Sequence, residues 1–137
     1  MLVKDYMTPN PASVSPDDDL RVAFNMLSER WIRQAPVIEN NKLVGIITDR
    51  DLRMALVQHV TEPNLLVRNV MTPDPVAVSE DSSLEEAGKI LTSHKINATP
   101  VLSEDGKLTG IITTTDILKG ILHIVEVAKS KGPMMTK

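Results

Sequence analysis

The chain has 137 residues, a formal net charge of −3, no cysteine, and one each of Phe, Tyr and Trp. That length can bury one sizeable core or two small fused ones. The missing thiols exclude disulfides, zinc–thiolate sites and thiol catalysis, and an acidic chain so poor in aromatics lacks both the basic field of a general nucleic-acid binder and a stacking platform for single strands.

In chain order, residues 2–7 read as a short helical lead-in, and prolines make 9–14 an extended or edge-strand piece. Ser15-Pro16-Asp17-Asp18 offers a helix start, with a serine cap, a proline in the first turn and acids at the positive end. Leu20, Ala23, Phe24 and Leu27 continue at helical spacing, and the helix must end before Pro36. A hairpin follows, in which 36–38 and 43–48 flank Asn40-Asn41, residues that tolerate the positive φ of a tight turn. A second helix is predicted over 50–60, with a linker at 61–65 broken by Pro63.

The order then repeats. Met71-Thr72-Pro73 restates Met7-Thr8-Pro9, Pro100-Val101 restates Pro36-Val37, Gly110-Ile111-Ile112-Thr113 restates Gly45-Ile46-Ile47-Thr48, and Asp116 restates Asp51. The second copy predicts a lead-in at 66–71, an extended piece at 73–78, a helix start at 79–82, a hairpin of 101–102 and 108–113 around 104–106, and a last helix over 115–129. The offset is roughly 64 residues and grows by one in the hairpin turn, where an insertion costs least. The expected domains are 1–60 and 66–129, with a frayed tail at 130–137. The fold class is α/β of the α+β type, built of two β-α-β-β-α units. The last helix is apolar on more than one face, which predicts burial between the copies and against a second chain. Residues 117–128 contain Lys119, His123 and Glu126 and are too short to span a bilayer. Residues 1–6 carry no apolar signal core, so a cytoplasmic location is expected.

The feature with the most chemical content is Gly45-Ile-Ile-Thr48-Asp-Arg-Asp51 and its echo Gly110-Ile-Ile-Thr113-Thr-Thr-Asp116. Each sits where a buried strand feeds a helix, whose unpaired N–H groups and partial positive charge suit a phosphate. The threonine hydroxyl can donate to a phosphate oxygen, the aspartate can accept from two ribose hydroxyls, and Arg50 adds a fork donor in the first copy. The same spacing is that of a helix capping box, with about 1 kcal/mol of stability and no further role. Both readings fit these residues. His59, His94 and His123 have no metal-type spacing, so no metal site is expected. The methionines, Met26, Met54 and Met71 among them, read as core filler, and Trp31 as a core or interface anchor.

The ordered set of pieces, found twice, resembles a tandem pair of cystathionine β-synthase (CBS) domains over residues 2 to about 125. The matching segments are 3–9, 32–37 and 43–52, then 67–73, 96–101 and 108–117. The resemblance implies two units in a pseudo-twofold arrangement forming one compact module. It implies a regulatory, non-catalytic sensor that binds an adenosine compound such as AMP, ADP, ATP, S-adenosylmethionine or NAD. A homodimer with an unidentified protein target is expected, without membrane or nucleic acid; the alternative is a structural interaction module with no ligand. By resemblance Asp51 and Asp116 meet ribose, and Thr48 and Thr113 meet phosphate, with Arg50 beside the first. The base would lie against Asn10, Ala12, Val14, Gln34 and Pro36 in one copy, and against Asp74, Val76, Val78, Asn97, Ala98 and Pro100 in the other. Ala12, Val14, Val76 and Val78 would give it apolar contact. Thr114 and Thr115 replace Asp49 and Arg50 in the second copy, so weaker phosphate binding is expected there.

Overall fold

The computed structural model describes residues 1–58 and 64–131; most of the predicted linker and tail, and the end of the 50–60 helix, lie outside them. The elements are α1 (Val3–Tyr6), β1 (Thr8–Pro9), α2 (Leu20–Arg30), β2 (Gln34–Glu39), β3 (Lys42–Thr48), α3 (Asp49–Gln58), α4 (Val67–Val70), β4 (Thr72–Pro73), β5 (Val78–Ser79), α5 (Leu84–His94), β6 (Ala98–Leu102), β7 (Leu108–Thr113) and α6 (Thr114–Ser130). They form two compact units that do not follow the two sequence copies. One holds Met1–Asn10, Ala77–Glu104 and the chain from Thr109 onward; the other holds Pro11–Val76 and Asp105–Leu108. Each unit thus takes its Met-Thr-Pro lead-in from the other copy.

In the first-copy unit the sheet order is β2-β3-β4, antiparallel throughout. Val14 adds a parallel bridge to Val37 at the free edge. In the second-copy unit the order is β1-β7-β6-β5, with β1 antiparallel to β7 and β5 parallel to β6. The cores follow from the alternation of the strands and the helical stripes. Val14, Ala23, Leu27, Ala35, Val37, Ile47, Leu52 and Val67 pack together in one unit; Val3, Val78, Leu84, Ala87, Val101 and Ile112 do so in the other. Val67 and Val3, both fully buried, are the lead-ins' contribution.

The Asn40-Asn41 turn forms as expected, with φ of 52° and 63°, and Gly106 takes φ 83° in the longer second turn. The helix starts differ from expectation. Asp19, not Ser15, caps α2 through Arg21 N–H, and Ser83 caps α5 through Glu86 N–H. Ser15 instead closes a turn: its hydroxyl accepts from Asp17 N–H and its amide donates to Asp18. Two hydroxyl or carboxylate cap candidates stand within one turn of each other in both copies, and the helix begins where its first residue, Leu20 or Leu84, faces inward. The remaining acid of the Asp17–Asp19 run, Asp17, pairs with Arg68, which also reaches Glu39 at 3.5 Å.

Two core assignments are corrected. Trp31 is 94% exposed, because it occupies the left-handed C-cap of α2, past the last buried turn. Met26 and Met71 pack on the core, whereas Met54 is about half exposed on α3. Helix α6 packs on α5 and α1, while Leu118, Ile121, Leu122, Ile124, Val125 and Val127 remain 41–53% exposed. No described helix is long and apolar enough to cross a membrane.

Candidate functional site

Each Thr-x-x-Asp motif sits where the last strand of a hairpin turns directly into a helix. Thr48 ends β3 and Asp49 begins α3; Thr113 ends β7 and Thr114 begins α6. With no loop between, the first-turn amides must be satisfied locally. Thr48 N–H donates to Asp51 Oδ2 at 3.0 Å, and Asp51 N–H donates to Thr48 Oγ1 at 2.9 Å. The second copy repeats this, with Thr113 N–H to Asp116 Oδ2 at 3.0 Å and Asp116 N–H to Thr113 Oγ1 at 3.1 Å. Both motifs are therefore capping boxes.

The caps do not consume either side chain. The threonine oxygen acts as acceptor, which leaves its own proton to donate. The carboxylate uses Oδ2 alone, and Oδ1 of Asp51 and of Asp116 accepts nothing from any described residue. Each junction thus presents one hydroxyl donor and one carboxylate acceptor at a helix N-terminus. The two differ in depth: Asp116 is 8% exposed, whereas Asp51 is half-buried.

A further tie fixes the strand opposite. Asp49 N–H donates to the Arg33 carbonyl at 2.8 Å, and Thr114 N–H to the Asn97 carbonyl at 2.9 Å. Thr114 Oγ1 adds a second bond to Asn97 at 3.2 Å. Residues 33 and 97 therefore stand at matching positions beside the motifs. Gln34 pairs with Thr48 across the hairpin, and Ala98 opens β6. In the first unit Arg50 is exposed on the first turn of α3, and Asp49 faces Arg53 at 4.0 Å.

The residues expected around a base fall into three groups. Ala12 and Gln34 are half-buried in the first-copy unit; in the other unit Ala98, the counterpart of Gln34, is half-buried and Asn97, the counterpart of Arg33, is exposed. Val14, Val78, Pro36 and Pro100 are buried, and the two valines lie in the cores, where alternation turns their side chains inward. The Val14 backbone is also spent, donating to Pro36 and accepting from Ile38. Asn10, Asp74 and Val76 belong to the opposite units from the motifs of their own copies. Asn10 and Asp74 share a left-handed backbone, φ 50° and 47°. Arg33 is a functional candidate that only the structure brings forward; the sequence signal for it is its repeat partner, the uncharged Asn97.

Comparison with known proteins matches this repeated pattern. The family described as CBS domain matches residues 3–58 and 67–123. Inosine-5′-monophosphate dehydrogenase of Korarchaeum cryptofilum is 38% identical over 116 residues, covering 85% of this chain and 22% of that enzyme. The chain thus spans about a quarter or less of the dehydrogenases it matches. Among solved structures, CBSX2 in complex with AMP is 33% identical with a TM-score of 0.81, covering 90% of this chain and 97% of that one. The CBS domain pair of protein MJ0100, in complex with 5′-methylthioadenosine and S-adenosylmethionine, is 26% identical with a TM-score of 0.78, covering 88% and 95%. With the family matched in both halves and the two units built alike, the chain belongs to the CBS domain family, as a tandem pair.

Proposed function

We propose that this chain is a regulatory module that binds an adenosine compound at one or both Thr-x-x-Asp junctions and performs no catalysis itself. The observation that carries this is the unused capacity of both caps: a free hydroxyl proton and a free Oδ1 remain at each helix start after the box is closed. A phosphate suits the former and a ribose hydroxyl the latter. The similar CBSX2 structure holds AMP, and the MJ0100 pair holds two adenosine derivatives. The dehydrogenases match over only a fraction of their length, which fits a regulatory segment. Asn10, Asp74 and Val76 are kept as base-side candidates along with Ala12, Gln34, Asn97 and Ala98. The working location is cytoplasmic and the target an unidentified protein. The half-exposed apolar residues of α6 fit a homodimer contact. Leu122→Glu should then lower the sedimentation coefficient from dimer to monomer; an unchanged monomer in the parent chain would reject the contact.

A structural module without ligand is the second reading, and the closed capping boxes favour it. Asp51→Asn and Asp116→Asn separate the two. Asn69 already serves as the acceptor of the α4 box, taking Leu66 N–H at 2.9 Å, so asparagine preserves a cap in this very chain. If the junctions bind ligand, calorimetry with AMP, ATP, S-adenosylmethionine and NAD shows heat for the parent and roughly tenfold or greater loss at the altered junction, with Tm nearly unchanged. No heat from any of the four compounds supports the structural reading.

A further inference from the structure

Resting on the adenosine-site reading above, we propose that the two junctions are graded by charge. The Thr48/Asp51 site takes a compound with two or more phosphates, held by Arg33 and Arg50. The Thr113/Asp116 site takes a compound with at most one.

The carbonyl ties place residue 33 and residue 97 identically beside their motifs. At these matched places the first unit carries Arg33 and Arg50, and the second carries Asn97 and Thr115. Arg33 and Arg50 are exposed and make no ion pair with any described residue, whereas Arg53, one turn further on, faces Asp49. Two arginines without an ion pair to any described residue thus stand at the positions next to the first motif, one through the Arg33 carbonyl tie to Asp49 and one in the first turn of α3. The second junction is uncharged apart from Asp116, which is nearly buried. Its closest cations in sequence are Lys95, in the left-handed cap of α5, and Lys119, further along α6; neither belongs to the Asn97–Thr114 tie. A second and third phosphate need cations beyond the helix N-terminus. The first junction has them. At the second, a buried carboxylate without a neighbouring guanidinium would repel the added negative charge.

The test is calorimetry of the full chain with ATP, AMP and adenosine. Asp116→Asn leaves the first site to be read alone, and Asp51→Asn leaves the second. In the Asp116→Asn chain, ATP should bind at least about tenfold tighter than adenosine, and Arg33→Asn/Arg50→Thr should bring the two to parity. Adenosine affinity should hold, and the ATP preference should fall as salt is raised. In the Asp51→Asn chain ATP should show no advantage, and Asn97→Arg/Thr115→Arg should create one. An ATP-to-adenosine ratio unmoved by the arginine replacements, with binding otherwise intact, overturns the grading and leaves the adenosine reading standing. A parent chain that binds none of the three overturns both. All four positions are exposed on the surface, so circular dichroism of the variants should match the parent.

Discussion

Gly110→Ala tests the strap by which each unit takes its lead-in from the other copy. In the second-copy unit β1 crosses β7 so closely that a Cβ at position 110 would lie 2.5 Å from Met7 Sδ, 3.0 Å from Met7 Cγ and 2.8 Å from the Thr8 carbonyl oxygen. Met7 can swing aside. The Thr8 carbonyl cannot, because Thr8 and Pro9 are paired with Ile111 and Gly110. Overpacking of this kind costs about 1–3 kcal/mol, offset by about 0.5–1 kcal/mol from replacing a strand glycine by alanine. The net loss is about 0–2.5 kcal/mol with a midpoint of ~1 kcal/mol, which at the midpoint is roughly 3–5 °C in Tm for a chain of this size. Gly88→Ala is the control. It lies inside α5 with nothing within 4 Å of the added Cβ, so it should gain about 0.5–1 kcal/mol. Differential scanning calorimetry of both variants reads the difference. A Gly110→Ala chain as stable as Gly88→Ala would refute the close approach. Met7→Ala should rescue only part of the loss; complete rescue would assign the clash to the methionine and not to the paired backbone.

Asn41→Gly should stabilise the first hairpin by a few tenths of a kcal/mol in urea melts, since position 41 holds φ 63° in a two-residue turn that prefers Asn-Gly. Arg21, chiefly through its side chain and then its amide, holds the Asp19 carboxyl below the usual aspartate range. Its contribution is therefore present at neutral pH and is lost as pH falls through that lowered value. Asp19→Asn keeps a neutral cap, so its stability should fall less on acidification than the parent's, and the difference should shrink in high salt because the pair is exposed.

Much of this fold is legible in the residues because the governing signals are local. Asn40-Asn41 and Gly106 mark turns by φ alone, the four-residue lead-in helices stop before Met-Thr-Pro, and Thr48–Asp51 and Thr113–Asp116 read as strand-to-helix junctions. The segment exchange is not legible, since Val3 and Val67 look alike and nothing in either local pattern says which core receives it. The helix starts were misplaced because Ser15 and Asp19 are both competent caps, and only burial of the following turn decides between them. Trp31 shows the limit of composition: a large aromatic suggests a core or interface anchor, and the left-handed cap that carries it outward excludes only the core. At the junctions, residue types suggested both a cap and a ligand site. Only the geometry adds that closing the cap uses the hydroxyl's lone pair and one carboxylate oxygen, so the two roles are compatible.

The exchange of lead-ins makes a prediction about fragments that the sequence repeat alone would reverse. A cut at the repeat boundary yields 1–65, which retains Val14, Ala23, Leu27, Ala35, Val37, Ile47 and Leu52 but loses Val67, Val70 and Met71 from that core. It also loses β4 from the edge of β3, at Gly45 and Ile46, and the bonds from Val67 and Arg68 amides to the Asp18 and Pro16 carbonyls. In exchange it carries Val3, Tyr6 and Met7, whose core lies elsewhere. The fragment 11–76, nearly equal in length, keeps the whole first cluster and forgoes only the 105–108 segment, which bridges Lys42 through Lys107. Burying Val67 alone contributes about 1.5–3 kcal/mol, a large share of what so small a domain can hold. Fragment 11–76 should therefore give a dispersed amide NMR spectrum and a cooperative urea transition, and 1–65 should give neither. A cooperative 1–65 with an unfolded 11–76 would refute the exchange as the basis of each core.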